Sequence, residues 1–397
     1  MRGGRTTLTL TVTAALLAAA ALPAAEAVLG GSWLFDDPTA TAQDLLVVLA
    51  VQRGDAFAPL PIPGRDVPAS ADWTAAILGL YAAGGLRTAS YDVAALRAQS
   101  TALDDRLETA LVPLVDSMAA AVSASTRGDH VAAALLLLDV TDAARPQLLA
   151  LPPEAWPATT TSDPLGIVGV GSLDADVHTQ DHWLLVDAGG DDEWANNAGG
   201  ACGFCPEFFF DPFTWVVRPV ALAWDLDGND MYVPSGLGVG FAQGGSATGV
   251  GVMLDDSGND SYTCNSDCQG GTQTGVSLFR DALGDDHYWA TFNAQGAALN
   301  GISVFLEESG DDTYRVQSDG QAATGLRGAA VMRDADGADQ YNSSGTRARG
   351  LSSLGGQAHF RDFGADLDLY QHIGADNAAW TNQVGGGAVD AGDGIDQ

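Results

Sequence analysis

Residues 225–232 read Asp-Leu-Asp-Gly-Asn-Asp-Met-Tyr, and this octad, of the form Asp-x-x-Gly-x-Asp-x-Tyr, recurs through the second half of the chain. The other copies begin at Asp187, Asp255, Asp281, Glu307 and Asp334. Successive octad glycines lie 26 to 38 residues apart. A repeat of this length is typical of a solenoid, in which each repeat forms one coil.

Short apolar stretches separate the octads, such as residues 250–253, 276–279 and 302–305. Their length and β-branched content predict strands, while the Asp and Gly residues of the octads favour turns. No coil can bury its apolar side alone, so neighbouring coils must stack. The sequence therefore predicts a parallel β-solenoid (β-helix) of 26–30-residue repeats over residues 165–397.

The first part of the chain has a different pattern. Apolar residues from Leu96 to Val122 follow one helical face, and Pro113 is expected to bend or break that helix. We expect an α-helical bundle over residues 28–151 and a Pro- and Thr-rich linker over residues 152–164. The predicted fold class is therefore α+β multidomain.

Residues 1–27 are typical of a secretory signal peptide. Arg2 and Arg5 precede an apolar run over residues 8–22, and Ala-Glu-Ala at 25–27 is a small-x-small cleavage site. The apolar run is too short to span a bilayer. We expect a secreted or cell-surface protein with no membrane span after signal removal.

The chain is strongly acidic. Its formal net charge is −34, from 51 acidic and 17 basic residues. Such a charge opposes nucleic-acid binding and favours cation binding. No nucleic-acid partner is expected.

Stacked coils would place equivalent acids one strand spacing apart, about 4.8 Å. Two carboxylates at that distance repel by roughly 3 kcal/mol at an effective dielectric constant of 20. A divalent cation between coils would remove this cost, and hard oxygen ligands suit Ca²⁺. The alternative is that these Asp side chains cap turns and point into water. The predicted metal ligands are Asp187, Asp192, Asp225, Asp227, Asp230, Asp255, Asp260, Asp281, Asp286, Asp312, Asp334 and Asp339.

The Gly-x-Asp-x-Tyr core of the octad resembles the nonapeptide of hemolysin-type (RTX-like) calcium-binding repeat proteins, which are secreted β-solenoids. The resemblance is carried by Gly228/Asp230, Gly258/Asp260, Gly284/Asp286, Gly310/Asp312 and Gly337/Asp339. It implies Ca²⁺ held between stacked turns. The repeat here is longer than nine or eighteen residues and lacks the doubled Gly-x-Gly of that family.

The four cysteines favour disulfides in an exported chain. The local pairs Cys202 with Cys205 and Cys264 with Cys268 need the fewest assumptions, and a zinc site of four thiolates is the alternative. The aromatic-rich insertion over residues 202–215 either caps the solenoid core or presents a ligand-binding loop.

Two further features have alternative interpretations. The aromatic residue that ends each octad belongs either to an internal stack or to an exposed row for sugar rings, and the internal stack is favoured. His178 and His182 would share a zinc ion only on a helix, whereas their context is strand-like.

No catalytic or nucleotide-binding motif is present, so an enzyme is the less favoured class. The sequence favours a calcium-stabilised surface or extracellular scaffold or adhesin, whose partner would be an extracellular polysaccharide or a surface protein. The alternatives are a polysaccharide-active β-helix enzyme (a lyase or a hydrolase) and a carbohydrate-binding module. The enzyme would need one coil with an acid and a base clustered in a groove.

Overall fold

The computed structural model of the protein describes residues 34–35, 37, 39–86, 92–206, 215–234, 241–344, 350, 356–363, 369–372, 387–388 and 395–396. The predicted signal peptide lies outside the described residues, as does the middle of the aromatic insertion, residues 207–214.

Helices occupy the first third of the described chain. The α-helices are α1 (Ala42–Arg53), α2 (Trp73–Ala83), α3 (Val93–Ala102), α4 (Asp105–Thr126) and α5 (His130–Leu148), and a short 3₁₀ turn follows at Pro153–Ala155. Carboxylates fix several helix starts, because Asp72 and Asp104 accept hydrogen bonds from backbone N–H groups of the first turns of α2 and α4. Pro113 lies inside α4, which continues past it to Thr126, so Pro113 does not break this helix.

By length and composition alone, α4 could cross a membrane. Its side chains, including Leu107, Leu111, Leu114 and Met118, are buried in the protein core, as in the central helix of a helical layer.

The rest of the chain is built from strands. They are β1 (Thr161–Ser162), β2 (Val168–Val170), β3 (Val177–His178), β4 (Leu184–Val186), β5 (Glu193–Trp194), β6 (Cys202–Pro206), β7 (Trp215–Arg218), β8 (Val220–Asp225), β9 (Met231–Tyr232), β10 (Val250–Asp255), β11 (Ser261–Thr263), β12 (Val276–Asp281), β13 (His287–Ala294), β14 (Ile302–Glu307), β15 (Thr313–Gly320), β16 (Ala329–Asp334), β17 (Gln340–Ser343), β18 (Gln357–Asp362), β19 (Leu369–His372), β20 (Gly387–Ala388) and β21 (Ile395–Asp396).

These strands form two long sheets. From β2 onward in one sheet and from β3 onward in the other, neighbouring strands are parallel. Sheet 1 has the order β1-β2-β4-β8-β10-β12-β14-β16-β18-β20, and sheet 2 has the order β21-β19-β17-β15-β13-β11-β9-β5-β3. The chain alternates between the sheets as it winds, while β6 and β7 form an antiparallel hairpin. The prediction of a parallel β-solenoid is confirmed.

The octads stack on one another in register. Asp255 at the end of β10 pairs with Asp281, which pairs with Glu307. Likewise, Tyr262 pairs with Tyr288 in sheet 2. Equivalent side chains of successive coils are therefore neighbours, as the repeat predicts.

The helices form a layer against the outer face of sheet 1. Alternate strand residues such as Val250 and Val252 share one apolar cluster with the helices, whereas Met253 packs inside the solenoid with Tyr262. The helices therefore bury apolar surface against the sheet as well as against one another. Arg side chains add polar contacts across this junction: Arg145 Nε lies 3.0 Å from Asp256 Oδ2, and Arg333 Nη1 donates to the Ala40 carbonyl at 2.6 Å.

Candidate metal centre

The octad glycines let the turns approach closely. Gly284 has a φ of 156°, and a Cβ at this position would overlap the carbonyl oxygen of Gly258 in the preceding coil. The same overlap would occur at Gly258 and Gly310. A side chain at these positions would therefore force the coils apart, and its absence brings the acids of successive octads together.

The first acid of each octad lies at the inner end of a sheet 1 strand and is sealed from solvent. Asp255, Asp281, Glu307 and Asp334 each have 0% exposure. The Tyr262 hydroxyl lies between two of them, 2.7 Å from Asp255 Oδ2 and 2.9 Å from Asp281 Oδ2. A phenol has one proton and can donate to only one of these oxygens at a time. The other close oxygen–oxygen contact needs a further proton or a cation nearby.

The second acid of each octad is held by the backbone of the coil before it. Asp260 Oδ1 accepts from the Asp230 N–H at 2.6 Å, and Asp286 Oδ1 accepts from the Asp260 N–H at 2.6 Å. The pattern continues from Asp286 to Asp312 at 2.7 Å and from Asp312 to Asp339 at 2.8 Å. One carboxylate oxygen is thereby fixed in each coil, and the other is directed elsewhere.

The remaining oxygens converge between coils. Each group contains the second acid of one coil and both acids of the next, with one ligand atom from each residue and all within 4.8 Å of one another. The groups include Asp192/Asp225/Asp230, Asp230/Asp255/Asp260, Asp260/Asp281/Asp286 and Asp286/Glu307/Asp312. We call this series the acid row.

Several oxygens in the acid row are buried without a hydrogen-bond partner. They are Asp230 Oδ2, Asp255 Oδ1, Asp260 Oδ2, Asp281 Oδ1, Asp286 Oδ2 and Glu307 Oε2. A buried carboxylate oxygen without a partner is costly, and buried charges are normally paired or bound to metal. These groups of buried acidic residues could hold metal ions.

The acids hold protons tightly when no ion balances them. Burial, together with neighbouring carboxylates, raises the pKa of Asp260 to about 12 and that of Asp286 to about 10. Burial also raises the pKa of Asp230 to about 7 and that of Asp312 to about 8. At neutral pH the row therefore takes up either protons or cations.

The geometry fits a small hard cation. Oxygens up to 4.8 Å apart suit the roughly 2.3–2.6 Å contacts of Ca²⁺, whereas two ligands of Mg²⁺ lie at most about 4.2 Å apart. Each coil contributes two carboxylates, such as Asp255 and Asp260, so one divalent ion per coil would balance the charge. The three carboxylate oxygens of a group are half or less of a calcium shell, which takes about 6–8 oxygens.

The N-terminal end of the row has a different composition. His178 in β3 pairs in register with Trp194, so it occupies the aromatic position of an earlier octad at residues 171–178. Its Nε2 lies 2.6 Å from Asp187 Oδ2 and 3.8 Å from Asp192 Oδ2. Although burial opposes the charge, the two neighbouring carboxylates raise the pKa of His178 to about 9.

The acids that converge in the structure differ in part from the predicted ligands. Asp227 is exposed and accepts from Ser257 Oγ at 3.0 Å, so it lies outside the acid row. Glu307 belongs to the row and could have been chosen from its octad position. Asp176 and His178 group with Asp187, and the degenerate octad at residues 171–178 is the signal that was missed.

The aromatic ladder is buried. Tyr232, Tyr262, Tyr288 and Tyr314 are at most 1% exposed, and successive rings stack at centroid distances of 4.5 to 4.9 Å. The row of hydroxyls is therefore available to the acids and closed to a sugar.

The cysteines and the second histidine lie apart from the acid row. Cys264 is disulfide-bonded to Cys268, one of the local pairs that the spacing favours, and Cys202 is also disulfide-bonded. The side chain of Cys205 lies outside the described ones. His182 Nε2 lies 2.9 Å from Ser162 Oγ, so the two histidines have different partners.

Together these features define a parallel β-solenoid with an internal row of carboxylates and tyrosines. No protein-family model matches the chain, and neither the curated proteins nor the solved structures include a match.

Proposed function

We propose that the protein is an exported, calcium-stabilised β-solenoid that serves as a surface or extracellular scaffold or adhesin. The observation that carries the proposal is the set of unpartnered carboxylate oxygens buried between successive coils. One divalent ion per coil would join neighbouring coils and remove the repulsion between them. The signal-like residues 1–27 and the Cys264–Cys268 disulfide support export.

Calcium is the favoured ion for chemical reasons. The ligands are all oxygens, and Asp carboxylates in turns can supply them singly or in pairs. The resemblance to hemolysin-type repeats points to the same ion. An extracellular protein also meets calcium at concentrations that allow modest affinity at each site.

The acid row favours a structural role over the enzyme alternative. A glycosidase or lyase needs carboxyl groups that reach a substrate. The acid row instead lies inside the solenoid, where Asp255 and Asp281 have no exposed surface. Assaying the protein against a panel of polysaccharides for new reducing ends or unsaturated products tests the alternative directly.

The central experiment measures metal content and melting temperature for the full mature chain. We expect about one calcium ion per coil by elemental analysis, and a melting temperature that falls by more than 10 °C when a chelator is added. Mg²⁺ and Mn²⁺ are tested in the same way to establish selectivity. A chain without bound metal and with the same melting temperature in chelator would contradict the metal proposal.

A matched pair of variants locates the ions. Asp260→Asn changes a residue shared by two groups of the row, so it is expected to lower the bound calcium by one or two ions per chain. Asp227→Asn changes an exposed acid of a neighbouring octad and is expected to leave the content unchanged. Equal effects of the two variants would place the ions outside the row.

A further inference from the structure

The coil that contains β13 exposes three large apolar side chains close together in the sequence. Trp289 and Phe292 of β13 are 44% and 43% exposed, and Leu299, which follows the strand, is 36% exposed. Single exposed apolar residues are ordinary, but three in one coil of a repeat protein are not explained by the fold.

The stacked neighbours at these positions are polar or small. Trp289 lies in register between Thr263 and Arg315. Phe292 lies between Ser266 and Ser318. Because the adjacent coils fold in the same way with polar residues there, the fold does not require apolar side chains at these positions.

The stacked neighbours of Leu299 are also polar or small. Bridges align Thr272, Ala298 and Thr324, so Leu299 lies between Gln273 and Gly325. This coil therefore departs from its neighbours at three surface positions. We call Trp289, Phe292 and Leu299 the apolar platform.

A groove with mixed polar and apolar walls lies beside Phe292 and Leu299 of the platform. It has a volume of about 230 Å³, and its walls include Phe292, Leu299, Asp267, Asn293 and Gln273. Asp267 is 7% exposed, and its Oδ1 accepts hydrogen bonds from Asn293 Nδ2 at 2.6 Å and from Gln273 Nε2 at 3.2 Å. These contacts hold carboxylate and amide groups in fixed positions beside the aromatic ring.

The arrangement fits a ligand with apolar faces and hydrogen-bonding edges. Trp289 and Phe292 are three residues apart on one strand, roughly 10 Å, which is longer than one sugar ring. Regular alternation would place them on opposite faces, but the N–H groups of Thr291 and Phe292 both donate to the Asn265 carbonyl, and this bulge leaves Phe292 exposed as Trp289 is. Exposed aromatic rings supply contact area at low entropic cost, while fixed polar groups give orientation. The carboxylates beside the platform and the net charge of −34 would repel an anionic chain.

We propose that the apolar platform and its adjoining groove bind a neutral glycan. A folded protein partner would need an interface of about 1,000 Å² or more, and three apolar side chains flanked by polar coils do not supply its apolar centre. The glycan site stands independently of the metal in the acid row, since the side chains of the platform are exposed at the surface whereas the acids of the row are buried. It would give the proposed adhesin its ligand class.

The test uses the full mature chain with calcium present. Neutral polysaccharides (β-glucan, xylan, mannan and starch) and one acidic polysaccharide, polygalacturonate, are compared by affinity electrophoresis and calorimetry. We expect binding to at least one neutral polysaccharide, with affinity reduced by about tenfold or more in Trp289→Ala and in Phe292→Ala. Trp289→Phe is expected to keep most of the binding, because the ring remains.

The control variant is Met231→Ala, which removes an apolar side chain of similar exposure, 45%, from the same sheet two coils away. It is expected to bind like the parent, and all variants should melt at the parent temperature because the changed residues are exposed. Binding to none of the neutral polysaccharides, preference for polygalacturonate, or equal weakening by Met231→Ala would each overturn the proposal. Melting with and without chelator separates this failure from a failure of the calcium proposal.

Discussion

The first coil and the later coils differ in what balances the charge of their buried carboxylates. In the later coils an acid ends the sheet 1 strand and a Tyr faces it, as Asp255 and Tyr262 do. In the first coil Gly171 stands in register with Asp187, and His178 replaces the aromatic ring. Two substitutions thus remove one carboxylate and add one positive charge. The first coil contains its own positive partner in His178, whereas in our proposal the later coils take a cation from solution.

The largest expected effect tests this internal counter-ion. His178→Leu leaves Asp187 and Asp192 buried without their positive partner, and breaking a buried pair in this way costs about 3–5 kcal/mol. Urea unfolding should show the loss both with and without calcium. A loss that calcium fully restores would show that the first coil works like the others.

The second prediction concerns pH in the later coils of chelated protein. Burial raises the pKa of Asp230 to about 7 and that of Asp312 to about 8, above the usual 3.8 of an Asp side chain. Between the usual pKa and these raised values, the folded state binds more protons than the unfolded state, so the free energy of unfolding falls as pH rises. We expect melting temperatures to fall steadily from pH 4 to pH 8 in chelator and to change little in calcium. A flat profile in chelator would contradict the proton-or-cation alternative.

The next prediction concerns the pH range over which His178 stabilises the first coil. The pKa of His178 is raised from 6.5 to about 9, so its stabilising contribution is complete below pH 6.5 and is lost as pH rises through 9. With calcium present, the difference in unfolding free energy between the parent and His178→Leu should shrink over this window. A difference independent of pH would assign His178 a packing role only.

A smaller effect is expected from the tyrosine row. Tyr262→Phe removes the hydroxyl between Asp255 and Asp281 and keeps the stacked ring. The loss should be about 1–3 kcal/mol in chelator, because buried carboxylates lose a donor. Calcium should reduce the loss. Denaturant midpoints in both conditions measure it.

The smallest effect is expected at the exposed acid of the octads. Asp227→Asn should change stability by less than about 0.5 kcal/mol, because Asp227 lies at the surface. A larger change in stability that occurs only with calcium present would indicate that Asp227 binds the metal.

The sequence predicts the solenoid and most of the acid row because both follow from one spacing. In-register stacking places equivalent residues of successive repeats next to one another. The repeat spacing alone therefore predicts that Asp260, Asp286 and Asp312 are neighbours. Asp227 breaks this rule because it stands between the two octad acids, at a position that faces solvent.

Other features depended on contacts that no spacing reveals. The octad at residues 171–178 has Gly171 at the position of the first acid and His178 at the position of the tyrosine. It is therefore recognised from the pairing of β3 with β5 and not from the sequence pattern. The apolar face from Leu96 to Val122 was interpreted as one helix, but Asp104 caps a new helix within it. The packing of helices onto sheet 1 was also hidden, since an apolar stripe does not name the surface that covers it.

The helical layer has a consequence for how the molecule meets others. It covers the outer side of sheet 1, with α1 next to β14 and β16 and α4 next to β8, while His287, Trp289 and Arg315 on sheet 2 remain open. Of the two broad sides that the described residues form, only one is free for a large companion spanning several coils. A partner that spans several coils would therefore contact the sheet 2 side of the protein.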